Sequence, residues 1–230
     1  MLDYLIYLIF IVSVALAAGG VVISSKMRNS FRNDIFSTLL YYQVFIYTFG
    51  FYGIWGQVAI KAFLADYISS ELLQRLSDIA ILMGLPFLVF AWLMLLQFSI
   101  DISGRKRTNW FTSLFLILNF SILLSVGFII AKTGISRPAS LIKYYFIWLN
   151  FIYSITSSLL IMFPGKRLSI IHEHDRKIMG PAIISIMILQ ISPLIFYTYQ
   201  LYLAVLFIFT FFAGNTFLPL YLNYGTLLSA

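Results

Sequence analysis

The pattern along the chain is one of long apolar runs broken by short charged clusters. Charge-free stretches run from Tyr4 to Ser25, Ile35 to Ile60, Ile79 to Ile100, Trp110 to Ala131 and Tyr144 to Gly165. After Lys177 no charged residue appears up to Ala230. One membrane crossing needs roughly 20 apolar residues. The first five runs each match that length, and the last is more than twice as long, so it divides into two helices with a turn near residues 197–200. Lipid leaves no partner for a free backbone N–H or C=O, which makes helices the default for such runs. No β-barrel alternation of apolar and polar residues accompanies them. The expected fold is therefore all-α: a polytopic membrane protein of seven transmembrane helices, read as a single transmembrane domain over residues 1–230.

The basic residues give that bundle a direction. Ten Lys and Arg follow the first, third and fifth runs: Lys26, Arg28, Arg32, Arg105, Lys106, Arg107, Lys166, Arg167, Arg176 and Lys177. Five follow the second and fourth: Lys61, Arg75, Lys132, Arg137 and Lys143. Positive residues concentrate on the cytoplasmic side. The N-terminus is expected outside and the C-terminus in the cytoplasm. The first run resembles a signal peptide only in position. Asp3 precedes it in place of a basic n-region, and it exceeds the usual h-region of about 7–15 residues.

Composition agrees. The chain has 230 residues, 61% hydrophobic and 10% charged, and a mean hydropathy of +0.96. Soluble domains carry about 25% charged residues. The formal charge of +7 lies in clusters that topology explains, so no nucleic-acid binding is expected of this portion. There is no cysteine, which excludes disulfides, thiolate metal sites and cysteine nucleophiles.

The chemistry available inside the runs is neutral. Asp78 stands nearest to an interior position, and it is read as marking the mouth of the third helix. Proton relays and ion-coupled transport use buried ionisable groups, and intramembrane enzymes need a nucleophile with its base or a set of metal ligands. Enzyme activity and cofactors are therefore not expected. His172 and His174 flank Glu173 in the loop GKRLSIIHEHDRK, but HEH lacks the H-E-x-x-H spacing that puts two imidazoles on one helix face. That loop reads as a solvated cytoplasmic segment.

The neutral polar residues Gln43, Thr48, Gln97, Asn119, Asn150, Gln190, Thr210 and Asn215 remain. Interhelical hydrogen bonds account for such groups at on the order of 1 kcal/mol each. A ligand pocket is the sharper alternative, since pockets in helical bundles join apolar walls to a few placed polar groups. The stretch YYQVFIYTFGFYGIWGQ, residues 41–57, is the richest source. Gly50, Gly53 and Gly56 share one broad face and invite close helix approach. Tyr42, Gln43, Tyr47 and Trp55, with Asn119, Asn150 and Gln190 from other runs, are the candidate ligand-binding residues. The prolines Pro86, Pro181, Pro193 and Pro219 break backbone bonds within helices.

YYQVFIYTFGFYGIWGQ, LSDIAILMGLPFLVFAWLMLLQF and FLPLYL resemble the N-terminal membrane region of bacterial LuxR-type helix-turn-helix regulators. The resemblance implies a seven-helix sensor in a bacterial inner membrane. It also implies a cytoplasmic DNA-binding output domain following Ala230, a module absent from residues 1–230. The expected function is a sensor or receptor-like domain that binds a lipophilic or amphiphilic small ligand and signals to a cytoplasmic output, with membrane lipids as its surroundings. The alternatives are a carrier or channel for a neutral solute, and a structural membrane protein.

Overall fold

The computed structural model describes residues 2–31, 34–104, 109–133, 138–163, 177–178, 180–185, 188 and 201–228. Among the described residues the chain is helical, with no strand. The helices are α1 (Leu2–Phe31), α2 (Asp34–Leu64), α3 (Ser70–Ile102), α4 (Asn109–Thr133) and α5 (Pro138–Met162). Described residues 177–178, 180–185 and 188 are helical and are labelled α6, and α7 spans Leu201–Leu228.

The helices outrun the charge-free stretches that announce them. Helix α1 continues past Lys26 and Arg28, and α3 begins eight residues before Asp78. Asp78 therefore lies within a helix rather than at its mouth. Charge marks where lipid-compatible composition stops, whereas a helix stops where its backbone is capped. The start of α3 shows this. Ser69 is extended (φ −74°, ψ 161°), and its side chain accepts from the Leu72 N–H at 3.2 Å. That satisfies one of the otherwise unpaired first-turn donors. Ser69→Ala is expected to lower stability by about 0.5–1 kcal/mol, read as a small fall in thermal midpoint.

The end of α2 closes equally specifically. The Tyr67 N–H bonds to the Ala62 carbonyl at 2.9 Å and the Asp66 N–H to Phe63 at 3.0 Å. Asp66 takes the left-handed conformation with φ 59°. These are the paired 6→1 and 5→2 bonds of a Schellman cap, and Asp tolerates the αL position better than most residues. Gly104, with φ 66°, occupies the corresponding place after α3, where its N–H bonds to the Asp101 carbonyl at 3.1 Å.

Helix α2 is the hub. It packs on α1, α3 and α7, while α3 packs in turn on α4 and α5. The core between them holds Leu39, Ile46, Leu88, Trp92, Phe98, Tyr153, Phe211 and Phe212, all buried. The outer surface is also apolar. On α4, Leu114, Ile117, Leu124 and Phe128 are exposed, Leu124 at 72%. On α1, Tyr4, Tyr7, Leu8 and Ile11 are exposed. Soluble monomers rarely expose contiguous apolar patches this extensive. Among the described residues two helical stretches, Tyr7–Ser30 and Met83–Ile102, are long and apolar enough to cross a membrane.

Isolated hydroxyls persist in these surroundings by bonding within their own helix. Ser13, Ser24, Thr48, Ser99, Ser121 and Ser125 each donate to the carbonyl four residues earlier, at 2.7–2.9 Å. This disposes of the donor without a partner helix. A second group of polar side chains also reaches across to other helices, and these define the site.

Candidate functional site

Three helices meet around Asn215 and Thr216 of α7. Pro219 lies four residues further along the same helix. A proline has no N–H, so the carbonyl of residue 215 loses its intrahelical partner. The Gln43 amide reaches across from α2 and supplies one: its Nε2 donates to the Asn215 carbonyl at 3.0 Å. The Asn215 side chain is held at both ends. Its Nδ2 donates to the Phe211 carbonyl at 2.7 Å, and its Oδ1 accepts from the Tyr42 hydroxyl.

Thr216 forms the second junction. Its hydroxyl approaches the Leu16 carbonyl of α1 at 3.0 Å and the Phe212 carbonyl at 2.9 Å. Both carbonyls are acceptors, so the threonine's single proton is committed to them. Tyr47, 2.5 Å away, must therefore donate its own hydrogen to Thr216. The resulting seam runs α2 to α7 to α1, with Tyr42, Gln43, Tyr47, Asn215 and Thr216 all buried.

Gly20 makes this crossing possible. A Cβ there would strike the Tyr47 hydroxyl and stand 3.1 Å from Gln43 Oε1. That Oε1 is buried and has no hydrogen-bond partner among the described residues. Gly50 opens the α2–α7 side, where a Cβ would lie 2.5 Å from the Phe212 ring. Gly84 admits Tyr52 against α3, with Tyr52 Cβ 3.1 Å from where its own Cβ would be. The side-chain faces of Gly53 and Gly56 lie outside the described residues.

The expected site residues fall into separate groups. Tyr42, Gln43 and Tyr47 join in the seam. Asn150 meets Tyr42 across a small cavity that Ser154 and Asn215 also line. Asn119 belongs elsewhere: its Nδ2 bonds to the Tyr153 hydroxyl, and Tyr153 stacks on Trp92 at 5.8 Å with an 11° interplanar angle. Trp55 sits two turns beyond Tyr47, about 12 Å along the helix, and is 56% exposed. It faces a groove of about 510 Å³ with Thr48, Phe51, Tyr52, Ile79 and Met83. Gln190, the turn at 197–200, Pro193, His172 and His174 lie outside the described residues.

Sequence reasoning passed over Thr216, Tyr153 and Ser154 and treated Asn215 only as one neutral residue among several. One signal was available. A proline inside an apolar helix orphans the carbonyl four residues before it, which points from Pro219 to Asn215. Nothing comparable picks out Thr216, whose partners come from two other helices.

Among the described residues no group of three or more His, Asp or Glu is placed to hold a metal ion. The site thus offers neutral hydrogen bonding, aromatic surface and an open groove. Comparison with protein-family models, with curated proteins and with solved structures finds no match.

Proposed function

We propose that the chain is a seven-span membrane sensor domain, N-terminus outside and C-terminus cytoplasmic, that takes a lipophilic or amphiphilic small molecule in the α2–α3 groove. The charge distribution supports the orientation, and the apolar exteriors of α1 and α4 support the lipid surroundings. A volume of about 510 Å³ falls within the range of small-molecule pockets, roughly 300–1,000 Å³. Its walls are mostly aromatic and aliphatic, with the Trp55 indole and the Thr48 hydroxyl as polar points.

The observation that carries the reading is a contact path from groove to seam. Phe51 lines the groove and meets Phe212 of α7 at 5.6 Å between ring centroids. Phe212 stacks on Tyr47 at 5.5 Å, and Tyr47 donates to Thr216. An occupant that bears on Phe51 in one arrangement of α7 more than in another shifts their populations. Pro219 removes one backbone hydrogen bond from α7, and the part of that helix beyond it is the element proposed to respond. The resemblance to LuxR-type regulators supports a cytoplasmic output as the recipient of that shift. Neutral amides and aromatic rings are the groups that a recognition site uses.

Native mass spectrometry of gently extracted protein tests this. A lipophilic adduct is expected on the wild type and is expected to be lost in Met83→Trp, which fills the groove from α3. A wild type free of adduct, or an adduct retained equally by a folded Met83→Trp, would overturn the assignment.

A further inference from the structure

The polar side chains of α5 and α7 face one another without packing directly. Between them lies a small cavity of about 20 Å³. Its polar wall is Tyr42 of α2, Asn150 and Ser154 of α5, and Asn215 of α7, and its apolar wall includes Trp92 and Ile183. All six side chains are buried. A void needs about 10–15 Å³ to admit one water and has to offer it two to four polar partners. This one meets both conditions and is too small for a larger solute.

The hydrogen-bond inventory of the wall indicates what it would accept. Tyr42 spends its only hydrogen on Asn215 Oδ1, which leaves its oxygen as an acceptor. Ser154 spends its hydrogen on Asn150 Oδ1 at 2.9 Å, with the same result. Asn215 Nδ2 has given one hydrogen to Phe211 and keeps a second. Besides the Asn150 amide, the cavity is thus bordered by two hydroxyl acceptors and one amide hydrogen of Asn215. A water donates two hydrogens and accepts at its oxygen, which matches that set. An apolar void would stay dry, but a polar one of this size gains from a bonded water.

We propose that this cavity is a binding site for a single structural water, which joins the Asn150–Ser154 pair of α5 to the Tyr42–Asn215 pair of α2 and α7. The site stands apart from the groove and does not depend on the sensor reading. It makes Asn215 the meeting point of the proline break, the Gln43 contact and the α5 connection.

X-ray hydroxyl-radical footprinting of the full chain in lipid nanodiscs tests the site, because radicals form at bound waters as well as in bulk. Trp92, although buried, is expected to be oxidised several-fold faster in the wild type than in Ile183→Phe, which fills the cavity without removing a polar partner. Exposed Trp148 serves as the control and is expected to react equally in both. Equal Trp92 rates in the two proteins would overturn the site. So would no detectable oxidation of Trp92 in the wild type. If Ile183→Phe does not fold, a density map that resolves ordered solvent decides on the wild type alone. A peak within hydrogen-bond reach of Tyr42 Oη and Ser154 Oγ is expected, and a cavity without density would exclude the water.

Discussion

Gly50→Ala is expected to destabilise the bundle, although alanine is the better helix former. The added Cβ would lie 2.5 Å from Phe212 Cζ and 3.1 Å from both Cε atoms. A ring end can usually swing aside. This one is wedged by Tyr47, Phe51 and Phe211, with centroids 5.5, 5.6 and 5.9 Å away, and Phe212 is fully buried. Overpacking a well-filled core costs about 1–3 kcal/mol, and the propensity gain returns about 1 kcal/mol at most. Gly127→Ala is the matched control, since nothing lies within 4 Å of its added Cβ, and it is expected to be neutral or slightly stabilising. Adding Phe212→Leu to Gly50→Ala should recover part of the loss by removing the ring edge. Thermal or denaturant unfolding in detergent reads all three. Equal behaviour of Gly50→Ala and Gly127→Ala would show that α2 and α7 do not meet at this point.

The second large effect is a coupling rather than a single loss. Gln43→Leu removes the donor that serves the Asn215 carbonyl, and an unpaired buried acceptor costs about 1–3 kcal/mol. It also removes Gln43 Oε1, itself unpartnered among the described residues, so the net change of the single variant is smaller than that figure. Pro219→Ala restores an N–H four residues after Asn215 and lets the helix satisfy its own carbonyl. In that background Gln43 has nothing to rescue, and Gln43→Leu is expected to be neutral or stabilising. The two substitutions should therefore be non-additive by about 1–2 kcal/mol, in the sense that each relieves the other. Additive effects would mean that the amide and the proline break are unrelated.

These contacts illustrate how far the amino-acid order could be read. Gly50 was legible as a position of close approach, because only a residue without Cβ suits such a face. Its partner was not legible, because Phe212 comes from a helix more than 150 residues later. The proline at 219 announces an orphaned carbonyl at 215. Which of several amides would answer it depends on the order in which helices surround α2. Trp55 looked like a neighbour of Tyr47 because they share one helix and both are aromatic. Two turns of helix separate them, and one faces the core while the other faces a groove.

Composition alone determined the helical class. In lipid, apolar runs of this length would leave backbone groups no partners but their own, and that constraint acts locally, before any helix finds another. The placement of charge outside those runs is local in the same way, because each ionised group carries its own desolvation cost. What only the tertiary structure decided is which neutral groups meet. Gln43, Asn119 and Asn150 are chemically alike in the sequence, yet one caps a proline break, one binds a tyrosine hydroxyl and one borders a cavity. Hydrogen bonds between helices depend on rotation and depth to within an ångström, and those coordinates come from packing around Gly20, Gly50 and Gly84 rather than from any single segment.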